Sequence, residues 1–218
     1  MTIKLSTSEA DRALYIDFEG TMTDPASFLG IACAGEWEVI VVEEALWPTV
    51  SHGARGGSVR RATIGEALTE LRDRAEREGR SIVAWSTREL DEIRASLPES
   101  SPEIFWWQEN LINALPIAKR WAKRNSVPIR AIPSTHGGRE NRYSLTGFME
   151  AVEFQVPRNL GTGNSAQRIR HVRTQLTQRG SFGALTPTTK GKWSRGLQHN
   201  RYDCLGLAAV MEAVSQTS

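Results

Sequence analysis

Three short runs of branched and aromatic residues crowd the first 42 positions: RALYIDF from Arg12 to Phe18, a second from Ser27 to Ala34, and WEVIVV from Trp37 to Val42. Such side chains suit a pleated surface better than a helix. The breaks between them carry turn residues, Asp24-Pro25 and Gly35. A parallel neighbour needs a crossover of about a dozen residues or more, so strands this close in sequence pair antiparallel. The chain is thereby committed to a sheet that opens with a three-stranded meander.

Beyond the meander, SHGARGGSVRR reads as a loop. Thr63 and Glu66 form a capping box for a helix that ends near Gly79. SIVAW, Ser81 to Trp85, reads as a buried strand, and Ser86 opens a helix to about Leu97. Ser101-Pro102-Glu103 begins another, and Pro116 a further helical piece. Residues 126–142 are a Pro/Gly-rich connection that includes a turn at His136-Gly137-Gly138. Helices are then expected over Ser144–Glu153, Ser165–Arg179 and Gln198–Ser215, while residues 180–197, with four glycines, read as a mobile loop. The expected fold is α/β: a mixed sheet, its first three strands antiparallel, flanked by helices. At 218 residues, one domain over 1–218 is expected, with Trp106, Trp107 and Trp121 in its core.

No apolar run approaches the roughly 20 residues that span a bilayer, so no membrane partner is expected. The first residues have neither signal-peptide nor transit-peptide character, and Cys33 and Cys204 stand alone and far apart. Both point to a cytoplasmic protein. The net charge of +2 hides an asymmetry: residues 1–109 hold 11 Lys/Arg against 20 Asp/Glu, and residues 110–218 hold 16 against 5. Either the two halves complement each other, or a polyanion lies on the basic half with its neutralising cations on the acidic one.

Asp17 and Glu19 sit two apart in LYIDFEG, so on a strand their carboxylates project from one face together with Tyr15, while Ile16 and Phe18 face the other. Neighbouring carboxylates on a half-buried surface repel, and a hard divalent cation relieves that repulsion. Four other acid-x-acid pairs occur in the chain; this one differs in the apolar strand before it and Gly20 after it. Glu89, just after SIVAW, either points across the sheet toward Asp17 or closes a capping box with Ser86; Asp91 is the substitute. His199 and Asp203 are four apart on the last helix and share a face. Asp203, if buried, needs a cation or His199 beside it.

Taken in order, these residues resemble the DEDD exonuclease superfamily, and within it a poorly characterised branch of ribonuclease-H-like nucleases. Asp17-Phe18-Glu19-Gly20-Thr21 resembles its first motif, the Glu89 context WSTREL its second, and His199-Asn200-Arg201-Tyr202-Asp203 its third. YSLTGFMEAV resembles the region before that last helix. Three residues between His199 and Asp203 is the spacing of the subgroup that uses tyrosine, so His199 stands in tyrosine's place. The resemblance implies a ribonuclease-H-like fold and a 3′–5′ exonuclease. Two Mg²⁺ or Mn²⁺ ions would be held by Asp17, Glu19, Glu89 and Asp203, with His199 taking a proton from the attacking water.

DNA or RNA is the partner so implied. Thr21 belongs to the first motif, and Lys190, Lys192, Trp193 and Arg195 on the expected loop are the candidate strand contacts, the tryptophan by stacking on a base. Arg168, Arg170, His171 and Arg173 are either a second candidate footprint or a solvated helix face. The competing expectation is a non-catalytic nucleic-acid-binding or assembly protein that keeps the fold, as a subunit of a larger phage, mobile-element or defence complex. Gly161-Thr162-Gly163-Asn164-Ser165 lacks the lysine and spacing of a P-loop and reads as a helix cap.

Overall fold

A computed structural model describes residues 5–21, 24–132, 143–157, 160 and 164–217. The meander is present as β1 (Leu14–Gly20), β2 (Ala26–Cys33) and β3 (Glu36–Val41). Asp17 lies opposite Gly30 across β1 and β2, and Gly30 opposite Val39 across β2 and β3, both antiparallel. Strands β4 (Ser58–Arg61), β5 (Ile82–Ala84) and β6 (Leu111–Asn113) add parallel to β3, β1 and β5 respectively. The result is an α/β fold around a six-stranded mixed sheet of order β4-β3-β2-β1-β5-β6, consistent with the ribonuclease-H-like expectation.

The helices are α1 (Thr7–Arg12), α2 (Ile64–Glu78), α3 (Arg88–Ser96), α4 (Pro102–Asn110), α5 (Ala114–Arg124), α6 (Leu145–Ala151), α7 (Ser165–Arg179) and α8 (Pro187–Gln216). Period-two alternation sends Tyr15, Phe28, Trp37 and Val39 into a core with Ile169, Val172, Leu197 and Leu207 of α7 and α8. Leu14, Ile16, Phe18, Leu29 and Ile40 pack on the opposite face with Leu68, Leu71, Ile93 and Trp107. Helices therefore cover both faces, and every residue of β2 is buried. A third cluster joins Trp121, Phe148, Met149 and Val210 beneath α5, α6 and α8. Trp107 and Trp121 are core residues as expected, and Trp106 packs partly buried against that core. No helix among the described residues is long and apolar enough to cross a membrane.

The expected loop over 180–197 is corrected from Pro187 onward, where α8 begins and runs for 30 residues. Thr186 caps it by accepting from the Thr189 amide, with Pro187 in the first turn, where its missing N–H does no harm. Gly191 and Gly196 inside the helix cost roughly 1 kcal/mol each relative to alanine. Burial of Trp193 and Leu197 contributes about 1.5–3 kcal/mol each and outweighs them.

Four further elements lie where no element was expected, the first being α1, which a Ser6–Glu9 capping box starts. Strand β4 sits inside SHGARGGSVRR because Gly57 lets the chain run against Trp37: a Cβ there would lie 2.2 Å from the Trp37 carbonyl oxygen. Strand β6 is three residues long, too short to show a period. The 3-10 helix Glu44–His52 follows β3 directly. The connection from residue 133, including His136-Gly137-Gly138, and Gly161-Thr162-Gly163 lie outside the described residues.

Candidate metal centre

Alternation along β1 turns Asp17 and Glu19 toward α8, on the face they share with Tyr15. The ladder to β2 slips between Glu19 and Gly20, a bulge of the kind that re-aims a side chain at a strand end. The α8 helix passes over β1 and presents His199 and Asp203 one turn apart. His199 Nδ1 lies 2.8 Å from Asp203 Oδ2 and 3.5 Å from Glu19 Oε1. A protonated His199 is thereby ion-paired to both carboxylates, the closer partner being Asp203. One ligand atom each from Glu19, His199 and Asp203 falls within 4.8 Å of the others, which suits a single cation.

Asp17 stands beside this group, held by a residue that sequence reasoning missed as functional. Asn200 is fully buried, and its Nδ2 donates to the Asp17 carbonyl at 2.9 Å and to Asp17 Oδ2 at 2.8 Å. Its Oδ1 accepts from Trp37 Nε1 at 3.3 Å. Ser165, the first residue of α7, donates from Oγ to Glu19 Oε1 at 3.0 Å. Asn200 is 183 positions from Asp17 and 163 from Trp37, so no local pattern could signal it.

Electrostatics bear the marks of crowded, desolvated acids. Burial pushes Asp17 well above the carboxylate range, with Glu19, Asp203 and Glu89 adding to the effect. Burial likewise raises Glu19 to about 7 against the pull of His199. Burial opposes charge on His199, but Asp203 and Glu19 outweigh it and raise the imidazole to about 9. Without a cation, His199 is thus an imidazolium at neutral pH and its proton fills the role of a cation between the two acids.

A pH dependence follows. A raised Glu19 favours the fold most below its unfolded value of 4.5, and that advantage is lost as pH climbs toward about 7. A raised His199 contributes stability that is complete below 6.5 and gone by about 9. Both slopes have one sign, so the metal-free melting temperature should fall from about pH 6 to about pH 9. Thermal melts in EDTA across that range, beside Glu19→Gln and His199→Gln, check it; slopes unchanged by both substitutions would refute the assignment.

Among the other expected site residues, Glu89 is 6% exposed, and its Oε2 accepts from the Ser86 amide at 3.2 Å and the Ser86 hydroxyl at 3.1 Å. It thus bonds Ser86 as the capping reading expects, although the N-cap of α3 is Thr87, which makes no side-chain cap hydrogen bond, and it remains close enough to raise Asp17 electrostatically. It is not one of the three converging ligands. Asp91 is exposed and pairs with Arg94 at 3.5 Å, so it is no substitute. Thr21 is buried and its hydroxyl accepts from the Asp24 amide, serving the turn instead of a ligand.

The four expected strand contacts come from α8, not from a loop. Trp193 is corrected outright: it is 2% exposed, set edge-on against Phe28 at 5.7 Å, and has no face left for a base. Lys190 reaches back to the Gly183 carbonyl at 2.8 Å. Lys192 is half-buried and Arg195 exposed, four residues before His199. Of the α7 footprint, Arg173 is taken up by Asp24 at 2.7 Å and by Glu43, and His171 contacts the Thr189 hydroxyl at 3.2 Å. Comparisons with family models, with curated proteins and with solved structures each gave no match to the chain.

Proposed function

We propose that the protein is a divalent-metal-dependent nuclease that hydrolyses phosphodiester bonds of DNA or RNA. The observation that carries this reading is the convergence of Glu19, His199 and Asp203 within 4.8 Å beside the buried Asp17, on residues far apart in sequence. Two carboxylates and an imidazole would hold Mg²⁺ or Mn²⁺, the two carboxylates supplying the oxygen ligands that both ions prefer. Glu19, His199 and Asp203 would hold one ion, and Asp17 is the acid left to share a second. A cation there supplies positive charge to phosphate oxygens and eases deprotonation of water.

The chain's own groups have distinct parts. Asn200 holds the Asp17 carboxylate in one orientation, and Ser165 does the same for Glu19. His199 can accept a proton only after it has given up the one that its ion pairs stabilise. Cation affinity should therefore rise with pH up to about 9. The order of the acids resembles that of DEDD exonucleases, which makes 3′–5′ polarity the specific form to test.

The purified protein with Mn²⁺ is expected to degrade at least one of end-labelled single- or double-stranded DNA or RNA. Asp17→Ala should reduce the rate by about 100-fold or more. Activity that survives this change would remove Asp17 from the site. One observation favours a second reading, a non-catalytic nucleic-acid-binding or assembly subunit: Asp17, Glu19, Glu89 and Asp203 all have protein partners without a cation. Intact substrates in every wild-type reaction would favour that reading.

A further inference from the structure

Arg168 has more donors than its surroundings use. Its Nη2 donates to the Leu160 carbonyl, but Nη1 is buried and has no hydrogen-bond partner among the described residues. Ser165 and Arg168 are three apart on α7, so the side that meets Glu19 through Ser165 also carries Arg168. Arg195 and His199 are four apart on α8, which places Arg195 one turn from the imidazole that meets the same Glu19. Among the described residues, Arg195 and Glu19 act on Arg168 electrostatically, and Arg168 acts on His199.

Arg168 on α7 and Arg195 on α8 therefore each lie one turn from a side chain that meets Glu19, near enough for their charges to act on each other. Arg195 alone would be an ordinary solvated side chain, tied among the described residues to its own helix through the Gly191 carbonyl at 3.2 Å. Arg168 is different, because a desolvated N–H with no acceptor and a like charge nearby is unfavourable until an anion arrives. Glu19 does not fill that role: it contacts Ser165 and His199, and no ion pair links it to either arginine among the described residues. A phosphate would, since its oxygens accept paired N–H bonds from the guanidinium fork while the group as a whole neutralises both arginines.

We infer that Arg168 and Arg195 form an anion subsite that seats a phosphate of the substrate strand next to the Glu19–His199–Asp203 cluster. For what carries the phosphate, a nucleotide, the inference rests on the nuclease reading; for the anion itself it does not. The subsite also separates the roles of the basic residues. Arg173 and His171 hold α7 in place, and Arg168 is the member of that helix turned toward chemistry.

The test is binding without turnover. The full chain in EDTA is titrated calorimetrically with thymidine 5′-monophosphate, with the dinucleotide TpT, and with uncharged thymidine. Either phosphate compound should bind about 10-fold or more tightly than thymidine. Tighter binding of the monophosphate assigns a strand terminus, and equal or tighter binding of TpT assigns an internal diester. Arg168→Ala and, separately, the exposed Arg195→Ala should each lower phosphate affinity about 10-fold, with Arg168→Lys intermediate because it keeps charge without the fork. Mn²⁺ affinity should be undiminished in all three.

Phosphate compounds that bind no better than thymidine, or that bind both alanine variants as they bind the wild type, would overturn the inference. Arg195→Ala keeps the test decisive if Arg168→Ala does not fold. Arginine-dependent phosphate binding in a wild-type protein that cleaves nothing would support the subsite while removing the nuclease reading. Cleavage with unchanged phosphate binding in both variants would do the reverse.

Discussion

Glu19→Gln should weaken Mn²⁺ binding by about 100-fold or more while making the metal-free protein more stable above neutral pH. The two effects have one origin. Glu19 is the strand-borne candidate ligand that faces both His199 and Ser165, so its charge is central to the proposed cation group. That same charge is desolvated and close to Asp203, which is why its carboxyl is raised to about 7. Above that pH the wild type keeps an ionised group that the fold disfavours, and a neutral amide of the same shape avoids it. A gain of about 1 kcal/mol would raise the melting temperature by about 2–4 °C in a chain of this size. Melts in EDTA and Mn²⁺ titrations on the same preparations check both halves. If Mn²⁺ raises the melting temperature of Glu19→Gln as much as it raises that of the wild type, Glu19 is not a ligand.

Gly30→Ala should be the most damaging single methyl that can be added to the sheet. A Cβ at Gly30 would lie 1.8 Å from Asn200 Oδ1, 2.5 Å from its Cγ and 2.8 Å from its Nδ2. The amide cannot retreat, since it is fully buried and bonded to Asp17 on one side and Trp37 on the other. Overpacking costs about 1–3 kcal/mol, and each broken buried hydrogen bond about 1–3 more. A loss of about 3 kcal/mol or more, or about 6–12 °C, is expected in thermal or urea unfolding. The double variant Gly30→Ala/Asn200→Ala isolates the cause. With the Asn200 amide gone the added methyl should cost little, a coupling of about 1 kcal/mol or more. Equal costs in both backgrounds would falsify the clash.

The same contact explains why Asn200 is central to a site it does not ligate. Its amide ties the end of β1 to β3 across Gly30, so the register of the meander and the position of Asp17 are fixed together. Loss of Asn200 should therefore disturb cation binding and stability at once.

Much of this was legible from neighbours in sequence. The alternation of RALYIDF placed Tyr15, Asp17 and Glu19 on one face and Ile16 and Phe18 on the other, and the structure keeps that division. The Thr63–Glu66 box, the Ser101 cap and the His199–Asp203 stacking are short-range features, decided within one helical turn. Residues 187–197 misled for the same reason in reverse. Their glycines report local propensity, whereas Trp193 and Leu197 are helical because the sheet is there to bury them.

By itself the sequence determined the meander, most of the helices, and the four acids as candidates, because period, caps and turn residues act over a few positions. Tertiary structure alone decided which acids meet a ligand partner. Sheet order set β5 beside β1 and brought Glu89 near Asp17, but Ser86 claimed its oxygen. The crossing of α8 over β1 set His199 and Asp203 against Glu19, and put Asn200 into the space left by Gly30. The meetings made by α8 join residues more than 140 positions apart, and only packing of whole elements selects them.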